Sequence, residues 1–270
     1  MAAIDAWPAA TPAAAVVGPA GVIATHGPTS SILPLASVTK PIVALAVLIA
    51  VEEGTIGLDD AAGPPGATVR HLLAHASGLP FAKGPPIAPP GARRIYSNRG
   101  FELLGRHLES AAGMPVGAYV VDAVLAPLGM TASALTGSPA SGAASSVDDL
   151  CRFAAELLTP TLIAPTTLAE ATAVQLPGLA GVVPGFGRFD PNDWGLGFEL
   201  KGTKTPHWTA SGGSPRTFGH FGAAGSFLWV DPDAHLALVC LADHPFDRWA
   251  ITAWPALSAA VLSTWANPTH

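Results

Sequence analysis

The sequence predicts an α+β fold in which both chain ends build one antiparallel sheet that helices flank, with an inserted, mostly helical region. Strand-like apolar segments open the chain, capped helical patterns fill its middle, and strand-like segments return after residue 190, before a last helix. Strands and helices that are segregated along a chain in this way are typical of α+β architecture. We expect residues 1–270 to form a single domain, with an α/β part at 1–54 and 190–270 and a mainly helical part at 55–189.

The composition is that of a globular chain with an acidic balance. Of 270 residues, 49% are hydrophobic and 12% are charged, so the chain can bury a sizeable core. The formal net charge of −6 argues against nucleic acid as a partner, because domains that bind it are typically basic. Cys151 and Cys240 both stand in apolar contexts, which predicts buried free thiols and leaves a single disulfide as the alternative.

Neither a signal peptide nor a membrane span is predicted for the chain as given. No Lys or Arg precedes the alanine-rich start, so the basic region of a signal peptide is missing. The apolar run at 42–51 is shorter than the roughly 20 residues that cross a bilayer. We therefore expect a cytoplasmic protein without a membrane span, whose oligomeric state the sequence leaves open.

Glycine, proline and capping residues divide the chain into elements. Gly18 and Gly21 split the apolar segment 13–24 into the two strands of a predicted hairpin. Helical spacing of apolar residues, with caps such as Thr68 and stops such as Gly54, predicts helices over 37–53, 68–75, 97–112, 116–125, 145–158, 165–175 and 248–265. The first of these helices is apolar all round, so we expect it to be buried.

The later strands are separated by short turns. They are predicted over 194–201, 216–223, 226–230 and 236–242, and the turn between the last two is Asp231-Pro232-Asp233. The proline-rich segment 81–92 predicts an exposed or cleft-lining loop. The scattered Asp and Glu residues are predicted to lie on solvated faces of the protein or to cap helices.

A serine and a lysine lie one helical turn apart at the start of the buried helix. Residues three apart on a helix share a face, so Lys40 would lie beside Ser37. Orphan N–H groups and the positive end of the helix dipole would surround Ser37, which suits a hydroxyl that becomes an alkoxide. Alone, this pair is a weak signal, because it also fits a serine at a helix start with a surface lysine.

Two further motifs follow in the chain. Tyr96-Ser97-Asn98 is a specific signal, since the chain has only two tyrosines. His220-Phe221-Gly222 is weak by itself, but it stands just before the predicted strand that begins at Ser226.

These motifs and several longer segments make the chain resemble the serine β-lactamase-related superfamily, in particular its class C β-lactamase, D-Ala-D-Ala carboxypeptidase and family VIII-type esterase branch. Ser-x-x-Lys is the acylation motif of β-lactamases and penicillin-binding proteins. Residues 72–79 are similar to the superfamily stretch LLTHTSGL, and 90–105, 127–130 and 194–197 also match. The resemblance covers nearly the whole chain and implies a β-lactamase/transpeptidase-like fold.

By that resemblance Ser37 is the nucleophile, and Lys40 and Tyr96 manage its proton. Lys40 would take or share the proton, and Tyr96 would act as a phenolate or as a proton relay. The physical need is clear, because a hydroxyl is a poor nucleophile until an adjacent base removes its proton. The resemblance implies no metal and no cofactor, and a small-molecule ester or amide as the substrate.

The resemblance also implies a substrate-binding wall. Asn98 would bind the acyl side of the substrate, and the backbone N–H groups of Ser37 and Ala223 would form an oxyanion hole beside Gly222. His220 stands where many members carry lysine. It would line the cleft, bind a substrate carboxylate when protonated, or brace the strand.

The function that this resemblance implies is a serine hydrolase with an acyl-enzyme at Ser37. A compact insertion predicts an open cleft, which favours small carboxylic esters. The alternatives are a β-lactamase, a D-Ala-type peptidase or transacylase, and a non-catalytic penicillin-fold binding protein. His220 in place of a permanently charged lysine disfavours the anchoring of a lactam or peptide carboxylate.

Other candidate residues have plainer explanations. His71 and His75 are four residues apart, a spacing of metal ligands, but no third ligand is evident, so a structural role is predicted. Four aromatic residues could line an acyl pocket, but core packing is predicted for most of them: Phe186, Trp194, Trp208 and Phe218.

Overall fold

Six antiparallel strands form the main sheet of the computed structural model, which describes residues 1–266. In chain order the strands of that part are β1 (Ala13–Gly18), β2 (Gly21–His26), β3 (Leu33–Pro34), β4 (Ala134–Leu135), β5 (Ala143–Ser145), β6 (Gly181–Val183), β7 (Gly187–Phe189), β8 (Glu199–Leu200), β9 (Phe218–Gly222), β10 (Ser226–Asp231) and β11 (Leu236–Leu241). The order in the main sheet is β2-β1-β11-β10-β9-β8, and each neighbouring pair is antiparallel. Early and late parts of the chain therefore build one sheet, as the sequence predicts.

Most of the helices lie between β2 and β6 in the chain. They are α1 (Thr39–Glu52), α2 (Val69–Leu73), α3 (Asn98–Ala112), α4 (Val116–Val120), α5 (Val147–Leu158), α6 (Pro165–Ala171) and, after the sheet, α7 (Arg248–Trp265). Short 3-10 turns occur at Ala2–Ala6 and Ala36–Val38. The side chains of Thr68, Ser97 and Ser146 cap α2, α3 and α5 by accepting backbone N–H bonds.

Two hydrophobic cores cover the two faces of the main sheet. Along β1, Ala15 packs into the core that contains α1, whereas Ala14 and Val16 pack into the core that contains Trp254 of α7. This alternation follows from strand geometry, in which successive side chains point to opposite faces. α5 lies on the same face as α1 and packs against β1 and β11.

α1 has no solvated face, which accounts for its apolar composition. Its residues from Thr39 to Ala50 are all buried. Gly54, just after the helix, has a φ of 74°, the left-handed conformation with which many helices end. The prediction of a buried helix is confirmed, but Ser37 lies in the 3-10 turn and α1 begins only at Thr39.

Two other predicted elements are shorter than expected, for a visible backbone reason. The helix predicted over 68–75 ends at Leu73. His75 has a φ of 53°, a left-handed backbone conformation that is incompatible with a right-handed helix. The strand predicted over 194–201 is reduced to β8, because Gly197 turns the chain with a φ of 86°.

The remaining differences are shifts at element ends. The first hairpin extends to His26, the helix over 116–125 becomes π-helical at Val121, α6 ends at Ala171, β9 begins at Phe218, and β10 extends to Asp231. The sequence does not predict β3–β7, which have only two or three residues each. The last residues of the predicted single domain, 267–270, lie outside the described residues.

Both cysteines are buried and free. Cys151 lies on α5 in the α1 core, and Cys240 lies on β11 in the α7 core. Because these cores lie on opposite faces of the sheet, the two thiols are apart. The prediction of buried free thiols is confirmed.

No single helix within residues 1–266 has both the length and the apolar composition to cross a membrane. Among these described residues one pair, Asn98–Ala112 with Val116–Leu125, meets that criterion jointly, and it is bent by 83°.

Candidate active site

Ser37 lies at a tight junction between the main sheet and α1. Ala36, just before it, has a φ of 44°, which is uncommon for a residue with a side chain. The junction is held against β10, because the Ser226 hydroxyl donates to the Leu35 carbonyl at 2.7 Å. A constrained backbone therefore presents the Ser37 hydroxyl.

Lys40 and Tyr96 both contact that hydroxyl. The Tyr96 hydroxyl donates to Ser37 Oγ at 2.7 Å. Lys40 Nζ lies 3.2 Å from Ser37 Oγ and 2.7 Å from the Tyr96 oxygen. The structure thus brings together the three groups that the sequence predicts as nucleophile and base pair, and their chemical roles stay a prediction.

Lys40 is fully buried, with 0% of its surface exposed, and makes no ion pair within residues 1–266. Burial lowers the pKa of Lys40 well below that of an exposed lysine, because an ammonium group loses its hydration there. Its Nζ also contacts Asn98 Oδ1 at 2.7 Å and the Ala140 carbonyl at 2.8 Å. A neutral amine has two N–H donors, which these two oxygens take, and its lone pair is then available for a hydroxyl proton.

Burial has the opposite effect on Tyr96. It raises the pKa of the phenol, since a phenolate would lose hydration, and the hydrogen bond with Ser37 offsets this only in part. Of the two forms that the sequence leaves open, the neutral relay fits this environment and the phenolate does not. The ring is held by His75, with ring centroids 4.6 Å apart, and by Phe81 at 5.9 Å.

The segment that carries Tyr96 is anchored by a buried arginine that the sequence does not single out. The Arg94 guanidinium donates at 2.6 to 3.2 Å to the carbonyls of Ala74, Gln175, Leu176 and Asn192. Ser97 then caps α3, so that Asn98 is its first residue. No local pattern identifies Arg94, because its acceptors come from segments that are distant in the chain.

His220 lies next to Tyr96, with ring centroids 5.7 Å apart, and is 3% exposed. Its Nδ1 donates to the Phe221 carbonyl at 2.7 Å, which leaves Nε2 as an acceptor without a partner within residues 1–266. Burial lowers the pKa of His220 to about 3, because an imidazolium ring would lose its hydration there. The ring is therefore uncharged at neutral pH. Binding of a carboxylate by protonated His220, one of the roles that the sequence leaves open, does not fit this environment.

The predicted oxyanion hole has two unused backbone donors. Within residues 1–266 neither the Ser37 N–H nor the Ala223 N–H donates a hydrogen bond, and both residues line one pocket. Gly222 permits a close approach of β9, since a methyl group on it would lie 3.1 Å from Ser37 N and 2.3 Å from Leu35 O. The arrangement fits a site for developing negative charge.

Replacing Gly222 with alanine should lower kcat/KM for p-nitrophenyl acetate by about 10²-fold or more, the usual effect of disturbing one oxyanion donor. The added methyl group would push β9 away from the Ser37 amide. The matched control is Gly212→Ala, whose methyl group would meet no atom within 4 Å. Full activity of Gly222→Ala with an unchanged Tm would contradict this role for the β9 edge.

A pocket of about 150 Å³ opens at Ser37. Its walls are mainly apolar and are formed by Phe81, Val183, Pro184, Trp194, Phe221 and Phe246. Of the four aromatic residues considered from sequence, only Trp194 lines it; Phe186 packs edge-on behind Phe221, and Trp208 and Phe218 are core residues. The walls from the β6–β7 hairpin and Phe246 are not foreseen by the sequence. A larger depression of about 490 Å³ between α5, α6 and β8 is lined by Phe218 but by none of the predicted catalytic, substrate-binding or oxyanion residues.

A buried polar cluster behind the pocket corrects the expectation that acidic residues are solvated. Glu199 accepts hydrogen bonds from His207 Nε2 at 2.8 Å and Trp208 Nε1 at 2.7 Å, and it also pairs with Lys204. Burial by itself would raise the pKa of Glu199, but His207 and Lys204 outweigh it and hold the pKa at about 2. The carboxylate is charged and satisfied, so it fixes one wall of the pocket.

His71 and His75 make separate structural contacts. His71 Nδ1 pairs with the Thr68 hydroxyl at 2.9 Å, and His75 Nδ1 accepts the Ser97 N–H at 3.1 Å. In the described part of the chain, no three His, Cys, Asp or Glu side chains are grouped as metal ligands.

Comparison with known proteins identifies the family. The sequence profile of the Beta-lactamase family matches residues 13–261. The chain therefore belongs to the beta-lactamase family, a family of serine hydrolases that also includes penicillin-binding proteins and esterases. The resemblance to the serine β-lactamase-related superfamily is confirmed.

Curated relatives match part of the chain, and two of them are as follows. A penicillin-binding protein of Bacillus subtilis (strain 168) is 31% identical over 135 residues, which cover 38% of this chain and 30% of that protein. Esterase EstB of Burkholderia gladioli is 32% identical over 143 residues, 36% of this chain and 36% of that protein. The matched segment thus spans about a third of the length of each relative.

Solved structures match nearly the whole chain. The crystal structure of a beta-lactamase from Mycobacterium bovis is 52% identical, covers 98% of both chains and gives a TM-score of 0.96. Simvastatin synthase from Aspergillus terreus covers 98% of this chain and 96% of its own, with 15% identity and a TM-score of 0.82. At that identity the second likeness shows the fold alone. The predicted β-lactamase/transpeptidase-like α+β fold is confirmed.

Proposed function

We propose that this hydrolase forms an acyl-enzyme at Ser37 and hydrolyses small carboxylic esters. The observation that carries the proposal is the contact of the Ser37 hydroxyl with both Tyr96, at 2.7 Å, and a buried Lys40, at 3.2 Å. A nucleophile within hydrogen-bond reach of its base is the arrangement that covalent catalysis needs. An intact set of these three groups argues against the non-catalytic binding protein.

Acylation begins when Ser37 Oγ attacks the carbonyl carbon of the ester. Its proton passes to the lone pair of Lys40, either directly or through the Tyr96 hydroxyl, which lies 2.7 Å from each. In the relay the Tyr96 hydroxyl turns to donate its own proton to Lys40 while it accepts the proton of Ser37. The carbonyl oxygen becomes an oxyanion and accepts the N–H groups of Ser37 and Ala223. When the C–O bond to the alcohol breaks, the protonated base returns the proton to the leaving oxygen.

Deacylation repeats these steps with water in place of the alcohol. Lys40 and Tyr96 take a proton from the water as its oxygen attacks the acyl carbon. The bond to Ser37 Oγ breaks, the serine regains its proton, and the carboxylic acid leaves. Nε2 of His220, an unpartnered acceptor in the pocket wall, can hold that water or a substrate N–H or O–H.

The shape and charge of the pocket support small esters. Its volume of about 150 Å³ and its apolar walls suit a short acyl group. His220 carries no charge at neutral pH and Lys40 is enclosed by its hydrogen bonds. Among residues 1–266 the pocket therefore offers no free cation for the carboxylate of a β-lactam or of a D-Ala peptide.

A second candidate, β-lactam hydrolysis, is supported by the 52% identity to a protein called a beta-lactamase. Steady-state kcat/KM for p-nitrophenyl acetate and butyrate, measured beside nitrocefin, distinguishes the two. We expect the esters to exceed nitrocefin by at least about tenfold, which corresponds to a difference of about 1.4 kcal/mol in transition-state binding. Rapid nitrocefin turnover with no ester hydrolysis would reject the esterase proposal. Ser37→Ala serves as the blank for both substrates.

A further inference from the structure

A groove of about 630 Å³ adjoins the pocket at Ser37. Phe81, Tyr96 and Pro184 line both cavities, so the two are continuous. We call it the Arg93–Arg188 groove, after the two arginines at its rim. Apolar residues of its lining are exposed to solvent, Phe81 and Ile87 to 55% each and Val182 to 56%.

The floor of the Arg93–Arg188 groove is a fixed backbone connection. The Arg94 N–H donates to the Ala180 carbonyl at 2.9 Å, and Arg94 pairs with Gly181 in a parallel bridge. A methyl group on Gly181 would lie only 2.6 Å from the Arg94 carbonyl oxygen, so glycine permits this approach. The bridge joins the β6–β7 hairpin to the segment that carries Tyr96.

The charges along the groove are all positive. Arg93 and Arg188 are exposed, and neither makes an ion pair within residues 1–266, although the chain has a net charge of −6. The Arg93 guanidinium donates to the Ile87 carbonyl at 3.2 Å, whereas the Arg94 guanidinium is committed to carbonyls. Within the described part of the chain, no carboxylate lines the groove. An apolar surface that ends at two unpaired guanidinium groups is complementary to an apolar group that ends in a carboxylate.

We propose that the Arg93–Arg188 groove binds the alcohol part of an ester that carries a carboxylate beyond an apolar segment. The inference rests on the proposed esterase function and names its substrate class. The alcohol side is assigned because Tyr96, one of the three residues that line both cavities, belongs to the pair that returns the proton to the leaving oxygen. The acyl part then occupies the pocket of about 150 Å³.

The test compares two acetyl esters, that of p-hydroxyphenylpropionate and that of its uncharged carboxamide. Both leave the same acetyl-enzyme, so a difference in kcat/KM reports recognition of the alcohol part during acylation. We expect kcat/KM to be about five- to tenfold higher for the carboxylate ester at low ionic strength, which is the combined effect expected of two exposed ion pairs. High salt should reduce this preference, because it screens exposed charges.

The double variant Arg93→Gln/Arg188→Gln should lose the preference, because its kcat/KM for the carboxylate ester should fall to that for the carboxamide. Arg106→Gln, an exposed arginine on α3 outside the groove, should retain it. The inference is overturned, and the esterase proposal is not, if the double variant keeps the preference for the carboxylate ester. The same holds if the wild-type enzyme hydrolyses both esters without that preference. In mono-p-nitrophenyl glutarate the carboxylate lies on the acyl part. If the double variant lost activity on this ester instead, the two arginines would bind the acyl side, and the inference would be overturned as well. A wild-type enzyme that hydrolyses neither acetate overturns the esterase proposal, and the inference with it.

Discussion

Replacing Ser37 with alanine should lower kcat/KM for p-nitrophenyl acetate by at least about 10³-fold, because no other group replaces a lost nucleophile in covalent catalysis. Ser37 Oγ makes its hydrogen bonds to Lys40 and Tyr96 and serves no other described group. The substitution removes one oxygen and leaves the backbone turn intact. The loss should therefore appear in turnover, with little change in Tm.

The matched control is Ser30→Ala, which removes a hydroxyl from an exposed residue of the loop before Ser37. It should keep wild-type kinetics. If Ser37→Ala kept turnover within about tenfold of the wild type, attack on the ester would have to come from another group, such as a water molecule, and the acyl-enzyme proposal would fail.

Replacing Lys40 with methionine should lower kcat/KM by about 10²- to 10⁴-fold, the range that general acid–base groups supply. Methionine is close in length and apolar, so it suits the buried site, but it has no lone pair basic enough to take the Ser37 proton. Lys83→Met, on the exposed loop 81–92, is the control and should be silent. Retention of activity in Lys40→Met would assign the base role to Tyr96 alone.

The pH dependence of kcat/KM should also show that a neutral Lys40 acts as the base. Lys40 must be neutral to accept a proton, and burial lowers its pKa, so kcat/KM should fall as pH decreases through that lowered value and stay level above it. Burial raises the pKa of Tyr96, so loss of its proton should not reduce activity in the mildly alkaline range. His220, with a pKa of about 3, should add no step near neutrality. A profile that rises only near the pKa of an exposed lysine would contradict a neutral Lys40.

The site residues that could be predicted are those in short motifs. Ser37 and Lys40 are three residues apart, and Tyr96 and Asn98 stand together, so sequence spacing and the family resemblance find them. The Ala140 carbonyl, which binds Lys40 at 2.8 Å, could not be found, because any residue type supplies a carbonyl and only the fold brings this one to the amine.

The same limit applies to the supporting structure. Hydrophobic patterning predicts the sheet and α1, whereas the ends of α2 and β8 depend on single residues with a positive φ, His75 and Gly197. The buried network of Glu199 joins residues whose burial no local pattern reveals, since Glu is usually exposed. The division into an α/β part and a helical part of a single domain, and the cytoplasmic location, stay predictions.

The central claim is an acyl-enzyme at Ser37, and intact-mass spectrometry of acid-quenched enzyme tests it most directly. The wild-type protein and Ser37→Ala would be mixed with an active-site phosphonate, and separately with p-nitrophenyl acetate and butyrate, then quenched and digested. We predict one covalent group per wild-type molecule, located on the peptide that contains Ser37, and none on the variant. A wild-type enzyme that hydrolyses the esters but remains unlabelled, or a Ser37→Ala variant that is labelled equally, would contradict the claim.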